Sequence, residues 1–268
     1  MTPDQLKEAA LRLEQAERTR TPCRQFSLDY PEMRIDDAYA IQHAWIALKQ
    51  ENGRTIKGHK IGLTSKAMQR AVNIGEPDFG VLLDDMFYRD GTTIPTDRFM
   101  QLRIEAELAF VLDKPLSGPE CTLFDVLDAT GYITPALEIL DARIQRIDPD
   151  SGRTRTVLDT ISDNAANAAL VLGGRPFRPR LVDTDLRRIG AIVSKNGEVE
   201  ETGLAAGVLN HPAYGVVWLA NRLHRYGVTL QAGEVILAGS FIRPLDVAKG
   251  DTVIADYGDF GTVSCHFS

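Results

Sequence analysis

The 268-residue sequence is poor in cysteine and in long apolar segments. Its three cysteines, Cys23, Cys121 and Cys265, are odd in number and far apart, and none belongs to a C-x-x-C pair. This argues against a disulfide framework or a zinc site and fits a reducing compartment. No apolar run approaches the roughly 20 residues that a membrane helix requires, and the N-terminus lacks the features of a signal or transit peptide. We therefore expect a cytoplasmic protein without a membrane partner.

Long basic segments are also missing. The 30 basic and 37 acidic residues give a net charge of −7, and the densest basic stretches, Arg175 to Arg180 and Arg187-Arg188, are short. Because nucleic-acid binding depends on neutralising many phosphates, we expect no nucleic-acid partner. An anionic small-molecule substrate is still compatible with this charge, because nearby groups outweigh the net charge at short range.

Several signatures of common enzyme chemistry are absent as well. The sequence contains no G-x-G-x-x-G after a strand, no G-x-x-x-x-G-K-[ST], no H-E-x-x-H and no G-x-S-x-G. These absences argue against nucleotide-driven, zinc-protease and α/β-hydrolase chemistry. The composition, 44% hydrophobic and 25% charged, is that of an ordinary globular protein.

Hydrophobic periodicity divides the chain into a helical beginning and a strand-rich body. Apolar residues recur at helical spacing in three early segments, which predicts helices over 3–18, 36–53 and 65–72. We assign residues 1–75 to an N-terminal helical region and residues 76–268 to a β-rich catalytic body, the two forming one integrated domain.

The body contains a strong strand pattern over 104–112, where apolar residues alternate with a second set that includes two glutamates. Further strands are predicted over 132–140 and in the last forty residues, and Asn196-Gly197 indicates a β-hairpin. Helices are predicted after Thr122 and over 212–226. Because strands and helices do not alternate regularly, the pattern favours an α+β fold over a doubly wound α/β fold.

The most informative local pattern is Glu105-x-Glu107 in the strand over 104–112. Residues i and i+2 on a strand share a face about 6.6 Å apart, so both carboxylates can converge on one cation. Carboxylates are hard ligands suited to Mg²⁺, Mn²⁺ or Ca²⁺. Glu138, inside the apolar segment 135–140, is a third candidate because burying an unpaired acid is costly. The competing interpretation is that Glu105 and Glu107 form the wet face of an edge strand.

Lys60 is a second candidate. It lies between Gly58 and Gly62 on one face of a predicted strand, and the two glycines leave room around its ammonium group. Beside a metal or in a dry pocket the pKa of such a lysine falls, so that it can act as an acid or a base. The competing interpretation is a surface lysine beside glycines that let the sheet bend. His59 points to the other face, where a histidine more often has a structural role.

Polar residues of three loops are weaker candidates. Asp78 is a candidate general base on a rigid turn, and Ser162 and Asn164 are candidate ligand donors, each with backbone capping as the alternative. Arg153 and Arg155 lie in a loop that either clamps an acidic substrate or is simply solvated. Carboxylates, a lysine and small donors without a nucleophile–base pair favour enolate chemistry on a divalent ion over acyl transfer.

Six segments along the chain form a recognisable series: Lys57-Gly-His-Lys-Ile-Gly-Leu-Thr-Ser-Lys, Glu76-Pro-Asp-Phe-Gly, Arg103-Ile-Glu-Ala-Glu-Leu-Ala-Phe, Pro135-Ala-Leu-Glu, Asp159-Thr-Ile-Ser-Asp-Asn-Ala and Asn210-His-Pro. In order and spacing they resemble the hydratase/decarboxylase family of the fumarylacetoacetase-like superfamily. The resemblance implies an N-terminal helical region followed by a mixed β-roll or sandwich with inserted helices, like the C-terminal part of fumarylacetoacetase. It also implies a homo-oligomer.

The resemblance also implies site residues. A Mg²⁺ site, for which Mn²⁺ can substitute, falls on Glu105, Glu107 and Glu138. Lys60 and Asp78 match active-site positions. We expect Asp78 to be the general base and Lys60 to transfer protons or stabilise charge. Ser162 matches a substrate-contacting position, and the substrate-binding candidates are Ser162 and Lys60 together with His59 and Asn164 from the residues alone. For binding a distal carboxylate, Arg153, Arg155 and His59 are candidates, and no motif decides among them.

The activity that the resemblance implies is hydration of a 2-oxo dicarboxylate in aromatic (homoprotocatechuate) catabolism. The expected reaction converts 2-oxo-hept-4-ene-1,7-dioate to 4-hydroxy-2-oxoheptanedioate, through metal chelation of the 2-oxo acid, double-bond isomerisation and addition of water at C4. Decarboxylation of 2-oxo-3-hexenedioate and hydration of 2-hydroxypenta-2,4-dienoate are the catalytic alternatives. A non-catalytic partner of a pathway enzyme is the alternative from another class of protein.

Overall fold

A computed structural model describes residues 1–71, 74–181 and 183–268. This part contains seven α-helices: α1 (Pro3–Thr19), α2 (Phe26–Asp29), α3 (Ile35–Glu51), α4 (Lys66–Ala71), α5 (Leu123–Ala129), α6 (Val157–Ser162) and α7 (Pro212–His224). The predicted helices are therefore confirmed, except that Val72, the last residue of the third, lies outside the described residues. Within these ranges, no helix is both long enough and apolar enough to cross a membrane.

The described residues also form thirteen strands: β1 (Ile56–Gly62), β2 (Asp78–Leu83), β3 (Phe87–Arg89), β4 (Thr92–Ile94), β5 (Arg103–Leu112), β6 (Thr130–Leu140), β7 (Asn167–Leu172), β8 (Gly190–Lys195), β9 (Glu198–Leu204), β10 (Val235–Leu237), β11 (Leu245–Asp246), β12 (Thr252–Asp256) and β13 (Thr262–Phe267). The strands predicted over 104–112 and 132–140 are β5 and β6. The turn at Asn196-Gly197 joins β8 to β9, as predicted.

The strands form two mixed sheets, which confirms the α+β fold. The large sheet has the order β2-β1-β10-β5-β6-β7-β3, with β11 on β5, and the small sheet has the order β4-β13-β12-β8-β9. Most neighbours are antiparallel, and β1/β10, β3/β7 and β4/β13 are parallel pairs. Because β1 is part of the large sheet, the segment 1–75 is not purely helical, and the boundary at residue 75 stays a prediction.

The N-terminal helices form because their ends are capped and one face of each is apolar. Thr2 and Gln5 make a reciprocal capping box at the start of α1, and Ala9, Leu13 and other small apolar residues of this helix are buried where it packs against α3. In turn, α3 packs on α6, and α7 packs on β1. The helices thereby cover the outer face of the large sheet.

The large sheet curls so that its two edges approach each other. Leu82 of β2 and Leu170 of β7 come from strands far apart in the sheet order, yet they share one buried cluster with Ala109 and Leu237. This cluster fills the concave face, while the opposite face contributes Ile61 and its neighbours to the main core. Side chains on the concave face are therefore enclosed by the sheet itself.

Asn164 links β2, one edge of the curled sheet, to the turn that precedes β7. Its side-chain oxygen accepts the Val81 N–H at 2.7 Å, and its side-chain nitrogen donates to the Val81 carbonyl at 2.9 Å. The residue is fully buried and has a φ of 53°, a left-handed conformation that asparagine tolerates better than most residues. The Asn164 side chain thus makes with Val81 the pair of hydrogen bonds that the backbone of a neighbouring strand would otherwise make.

We predict that Asn164→Ala lowers the free energy of unfolding by about 2–4 kcal/mol, because a buried N–H and a buried carbonyl lose their partners. Urea denaturation of the purified protein measures the change. Gln231→Ala is the matched control, since this exposed amide makes only a local bond to the Thr229 carbonyl. A loss below about 1 kcal/mol for Asn164→Ala would contradict the proposed closure.

Candidate active site

Three carboxylates meet on the concave face of the large sheet. Glu105 and Glu107 lie on β5, and Glu138 of β6 pairs directly with Glu105. One oxygen from each carboxylate lies within 4.8 Å of the other two. Glu107 and Glu138 are fully buried, and β5 lies between β10 and β6. The alternative of a wet edge strand is therefore wrong, because β5 is an interior strand.

The donor set fits a divalent cation. Glu107 accepts the Gly239 N–H at 2.8 Å, and Glu138 accepts the side-chain amide of Asn167 at 2.8 Å. The other oxygens of the two glutamates, Oε1 of Glu107 and Oε2 of Glu138, are buried and have no hydrogen-bond partner within the described part of the chain. Buried polar atoms are rarely left in this state, and hard cations such as Mg²⁺ take carboxylate oxygens as ligands. Glu105, Glu107 and Glu138 are thus the residues that would hold the metal.

Gly239 brings its N–H to Glu107 because it has no side chain. Its φ is +116°, and a Cβ at this position would lie 2.4 Å from the Thr64 hydroxyl oxygen. Any other residue would therefore be strained and would also push the backbone away from the carboxylate.

Lys60 and Asp78 meet beside the carboxylates. The Lys60 ammonium lies 3.3 Å from the Glu138 carboxylate, and Asp78 pairs with Gly62 across β1 and β2. A Cβ on Gly62 would lie 2.2 Å from Asp78 Oδ1 and 3.3 Å from Lys60 Nζ. Gly62 therefore provides the room in which the two groups approach each other. Gly58 has a different role, because its missing side chain lets β10 approach β1.

The charges of the site shift its pKa values. Burial alone would lower the pKa of Lys60, but the negative charges of Glu138 and Asp78 raise it above the ordinary value. The expectation of a lowered pKa is therefore wrong for the metal-free protein, and the ammonium is charged. Burial raises the pKa of Asp78 and, with the Glu138 charge, the pKa of Glu107. The same causes raise the pKa of Glu105 to about 8.

Three other predicted residues lie outside this arrangement or are engaged elsewhere. His59 faces the opposite side of β1 from Lys60, with its Nδ1 3.6 Å from a carboxylate oxygen of Glu234. The Ser162 hydroxyl donates to the Leu158 carbonyl at 2.8 Å within α6. The Asn164 amide is bonded to the β2 backbone, as described above. Contacts of these residues with a substrate stay predictions.

The two arginines of the predicted clamp have different environments. The Arg155 side chain is largely buried, and its Nη1 lies 3.8 Å from Asp163 Oδ2. Arg153 is exposed, and its side chain makes no hydrogen bond or ion pair within the part of the chain that the structure describes.

Two further residues support the carboxylates and were not singled out in the sequence. The side-chain amide of Asn167 donates to Glu138. Asn167 ends the segment Asp163-Asn-Ala-Ala-Asn, and its two asparagines are the sequence feature that could have indicated a role in the site. The Tyr257 hydroxyl lies 2.9 Å from the Glu107 carbonyl oxygen and 2.8 Å from that of Ala136. No local pattern marked Tyr257, because it reaches β5 and β6 from the small sheet.

The chain matches the fumarylacetoacetate (FAA) hydrolase C-terminal family over residues 51–268 and therefore belongs to this family. It is 62% identical over 258 residues to 2-oxo-hept-4-ene-1,7-dioate hydratase from Escherichia coli, covering 96% of each chain. It is 39% identical over 267 residues to 2-keto-4-pentenoate hydratase from Paraburkholderia xenovorans (strain LB400), covering 100% of this chain and 96% of that protein.

The fold is also that of a solved relative. The structure of 4-oxalocrotonate decarboxylase from Pseudomonas putida G7, complexed with magnesium and adipate, matches this chain with a TM-score of 0.94. The two sequences are 34% identical, and the match covers 100% of this chain and 99% of the other. The comparisons confirm both the predicted fold and the resemblance to hydratases and decarboxylases.

Metal binding is predicted to release protons. Because the pKa of Glu105 is raised to about 8 and that of Glu107 is also raised, the metal-free site holds protons at neutral pH. These carboxyls bind more protons in the folded than in the unfolded state, so metal-free stability falls as the pH rises from about 5 to about 8. Affinity for Mg²⁺ rises over the same range, because protons compete with the metal.

Isothermal titration calorimetry in two buffers of different ionisation enthalpy measures the released protons. Glu105→Gln removes one of the titrating groups, so it is expected to reduce the proton release along with the affinity. An Mg²⁺ affinity that does not change between about pH 6 and pH 8 would contradict the linkage.

Proposed function

We propose that the protein hydrates 2-oxo-hept-4-ene-1,7-dioate to 4-hydroxy-2-oxoheptanedioate in homoprotocatechuate degradation. The observation that carries the proposal is the buried cluster of Glu105, Glu107 and Glu138, with oxygens left free for a cation. A 2-oxo acid presents neighbouring carboxylate and keto oxygens that suit such a cation. The 62% identity to an E. coli enzyme named for this hydration supports the choice of substrate.

We propose Mg²⁺ as the metal, with Mn²⁺ as a substitute. The three glutamates offer only oxygen ligands, which both ions accept. The solved relative at 34% identity was obtained with magnesium, which supports the assignment. When bound, the ion supplies Lewis-acid polarisation of the 2-oxo group.

Asp78 is the proposed general base. Its Oδ1 is buried and has no hydrogen-bond partner in the ranges that the structure describes, so it is available to accept a proton from C3 of the substrate. Burial raises its pKa, which makes its carboxylate a stronger base than an exposed aspartate. Returning the proton at C5 moves the double bond into conjugation with the ketone, and water then adds at C4.

Lys60 is proposed to stabilise the charge that develops when C3 loses its proton. The surrounding carboxylates keep its ammonium group protonated, and burial keeps bulk water away from it. A fixed positive charge in a dry site stabilises a developing oxyanion without reorganisation of solvent. A charged lysine can also donate the proton that the shifted double bond requires.

The chain is also proposed to form a homo-oligomer in the cytoplasm. The homo-oligomer is implied by the family resemblance, and the cytoplasm is a reducing compartment that suits three widely separated cysteines. The homo-oligomer also agrees with one face of the small sheet, where Ile192, Leu204 and Ile254 are exposed apolar side chains. Such side chains on one sheet face are compatible with a subunit contact.

The product of the reaction is the first test. Incubation with 2-oxo-hept-4-ene-1,7-dioate and Mg²⁺ is expected to give a product that has gained one water, identified by mass spectrometry. Glu107→Gln is expected to reduce turnover by more than about 100-fold, because it removes a charged metal ligand. Glu200→Gln, the same change on the exposed strand β9, is the control.

Other products separate the alternatives. Loss of carbon dioxide from a 2-oxo-hexenedioate, without hydration of the heptenedioate, would assign the decarboxylase activity. Turnover of 2-hydroxypenta-2,4-dienoate alone would assign the hydration of the shorter substrate. No metal-dependent turnover of any of the three compounds would favour the non-catalytic partner and would contradict the proposal.

Asp78→Asn tests the general base separately from water addition. We predict that this variant slows the exchange of the C3 protons of 2-oxoheptanedioate with deuterated solvent by about 100-fold or more, because it removes the proposed proton acceptor. Proton NMR measures the exchange. Mg²⁺ affinity, measured in parallel, is expected to stay within about threefold, since Asp78 is not among the metal ligands. Unchanged exchange would rule out Asp78 as the base.

A further inference from the structure

Two arginines face each other on the hairpin between β6 and α6. Ile147 pairs with Thr154 in antiparallel register, and the Arg155 N–H donates to the Arg146 carbonyl at 2.9 Å. This register places Arg146 directly opposite Arg155, so both side chains leave the same face of the hairpin. Like charges in directly opposed positions repel each other. A nearby anion would relieve this repulsion.

Each guanidinium group has only part of its donors engaged within the described residues: Nη2 of Arg146 donates to the Gln101 carbonyl at 3.1 Å, and Nη1 of Arg155 lies 3.8 Å from Asp163 Oδ2. Nε of Arg146 and Nη1 of Arg155 are buried and find no hydrogen-bond partner among the residues that the structure describes. The carboxylate nearest to Arg155, that of Asp163, is already held by Arg143, whose Nε lies 2.5 Å from Oδ1. Within the described ranges, Arg146 forms no ion pair. The hairpin therefore presents two positive charges with unused donors.

A third arginine connects this pair to the metal ligands. Arg103 precedes Glu105 by two residues on β5, so the two side chains share the concave face of the sheet. Burial and the charges of Arg103 and Arg155 lower the pKa of Arg146 to about 10. The Arg155 charge also opposes the burial-driven rise in the pKa of Asp78. Arg146 also donates to the carbonyl of Gln101, two residues before Arg103, so the hairpin lies beside the start of the strand that carries Glu105.

We propose that Arg146 and Arg155, assisted by Arg103, bind the carboxylate at the far end of a 2-oxo dicarboxylate and make the site selective for dicarboxylates. The inference rests on the proposed function, in which the 2-oxo acid end occupies the cluster of glutamates. A guanidinium group binds a carboxylate through two parallel hydrogen bonds. One carboxylate between Arg146 and Arg155 would use their free donors and remove their mutual repulsion.

Ligand affinity tests this assignment without requiring turnover. The Mg²⁺-loaded protein is titrated with 2-oxoheptanedioate and with 2-oxoheptanoate, which lacks only the distal carboxylate. The wild type is expected to prefer the dicarboxylate. Arg155→Gln and Arg146→Gln are expected to weaken dicarboxylate binding by about 10- to 100-fold and to change monocarboxylate binding by less than about threefold. Arg103→Gln is expected to show a smaller change of the same kind, because Asp246 already binds Arg103.

Two further variants make the result specific. Arg225→Gln removes an exposed arginine at the end of α7 and is expected to leave both affinities unchanged. Arg155→Lys keeps the charge without the paired donors and is expected to recover part of the preference for the dicarboxylate. Equal weakening of both ligands in Arg155→Gln would overturn the proposal, because the arginine would then act through the metal site.

Two other outcomes would also overturn it. One is a wild type that does not prefer the dicarboxylate. The other is a preference that is lost in Arg153→Gln and kept in Arg155→Gln and Arg146→Gln. The proposed hydration is tested separately from the arginine proposal. It is contradicted if the wild type binds 2-oxoheptanedioate but does not add water to 2-oxo-hept-4-ene-1,7-dioate.

Discussion

Electrostatic repulsion among Glu105, Glu107 and Glu138 is the constraint on which the rest of the site depends. Their oxygens lie within 4.8 Å of one another in a buried position, where like charges are costly. The chain offsets part of this cost with the Lys60 ammonium and with N–H donors from Asn167 and Gly239. The remaining negative charge is neutralised by bound protons in the metal-free protein. A divalent cation is suited to take their place.

Holding repelling groups together requires a rigid frame. The glutamates lie on adjacent strands of a curled sheet, in which Asn164 links β2 to the turn before β7 through two hydrogen bonds with Val81. Tyr257 reaches from the small sheet to the Glu107 carbonyl of β5 and the Ala136 carbonyl of β6. These contacts hold the strands that carry the glutamates together and oppose movement of the carboxylates away from one another.

In the proposed function, one group of residues binds the end that the substrates share, and another group distinguishes the ends at which they differ. Under this proposal, the cluster of glutamates, Lys60 and Asp78 binds the 2-oxo acid end of the substrate, and the chain is similar to hydratases of two substrates and to a decarboxylase. Selectivity among such substrates must come from groups that contact their differing ends. The hairpin that carries Arg146 and Arg155 offers positive charge outside the cluster of glutamates, which is where a second carboxylate would need it.

The sequence by itself determined the strands β5 and β6, the three glutamates and the position of Lys60 between two glycines, because strand periodicity and residue chemistry are local properties. It also marked Asp78 and Arg155. Tertiary structure alone decided that Asn164 bonds to β2, that Lys60 is held charged, that Tyr257 and Gly239 contact Glu107, and that Arg146 lies opposite Arg155. These features depend on contacts between residues far apart in the chain and on the electrostatic field of buried neighbours, and neither is encoded in local spacing.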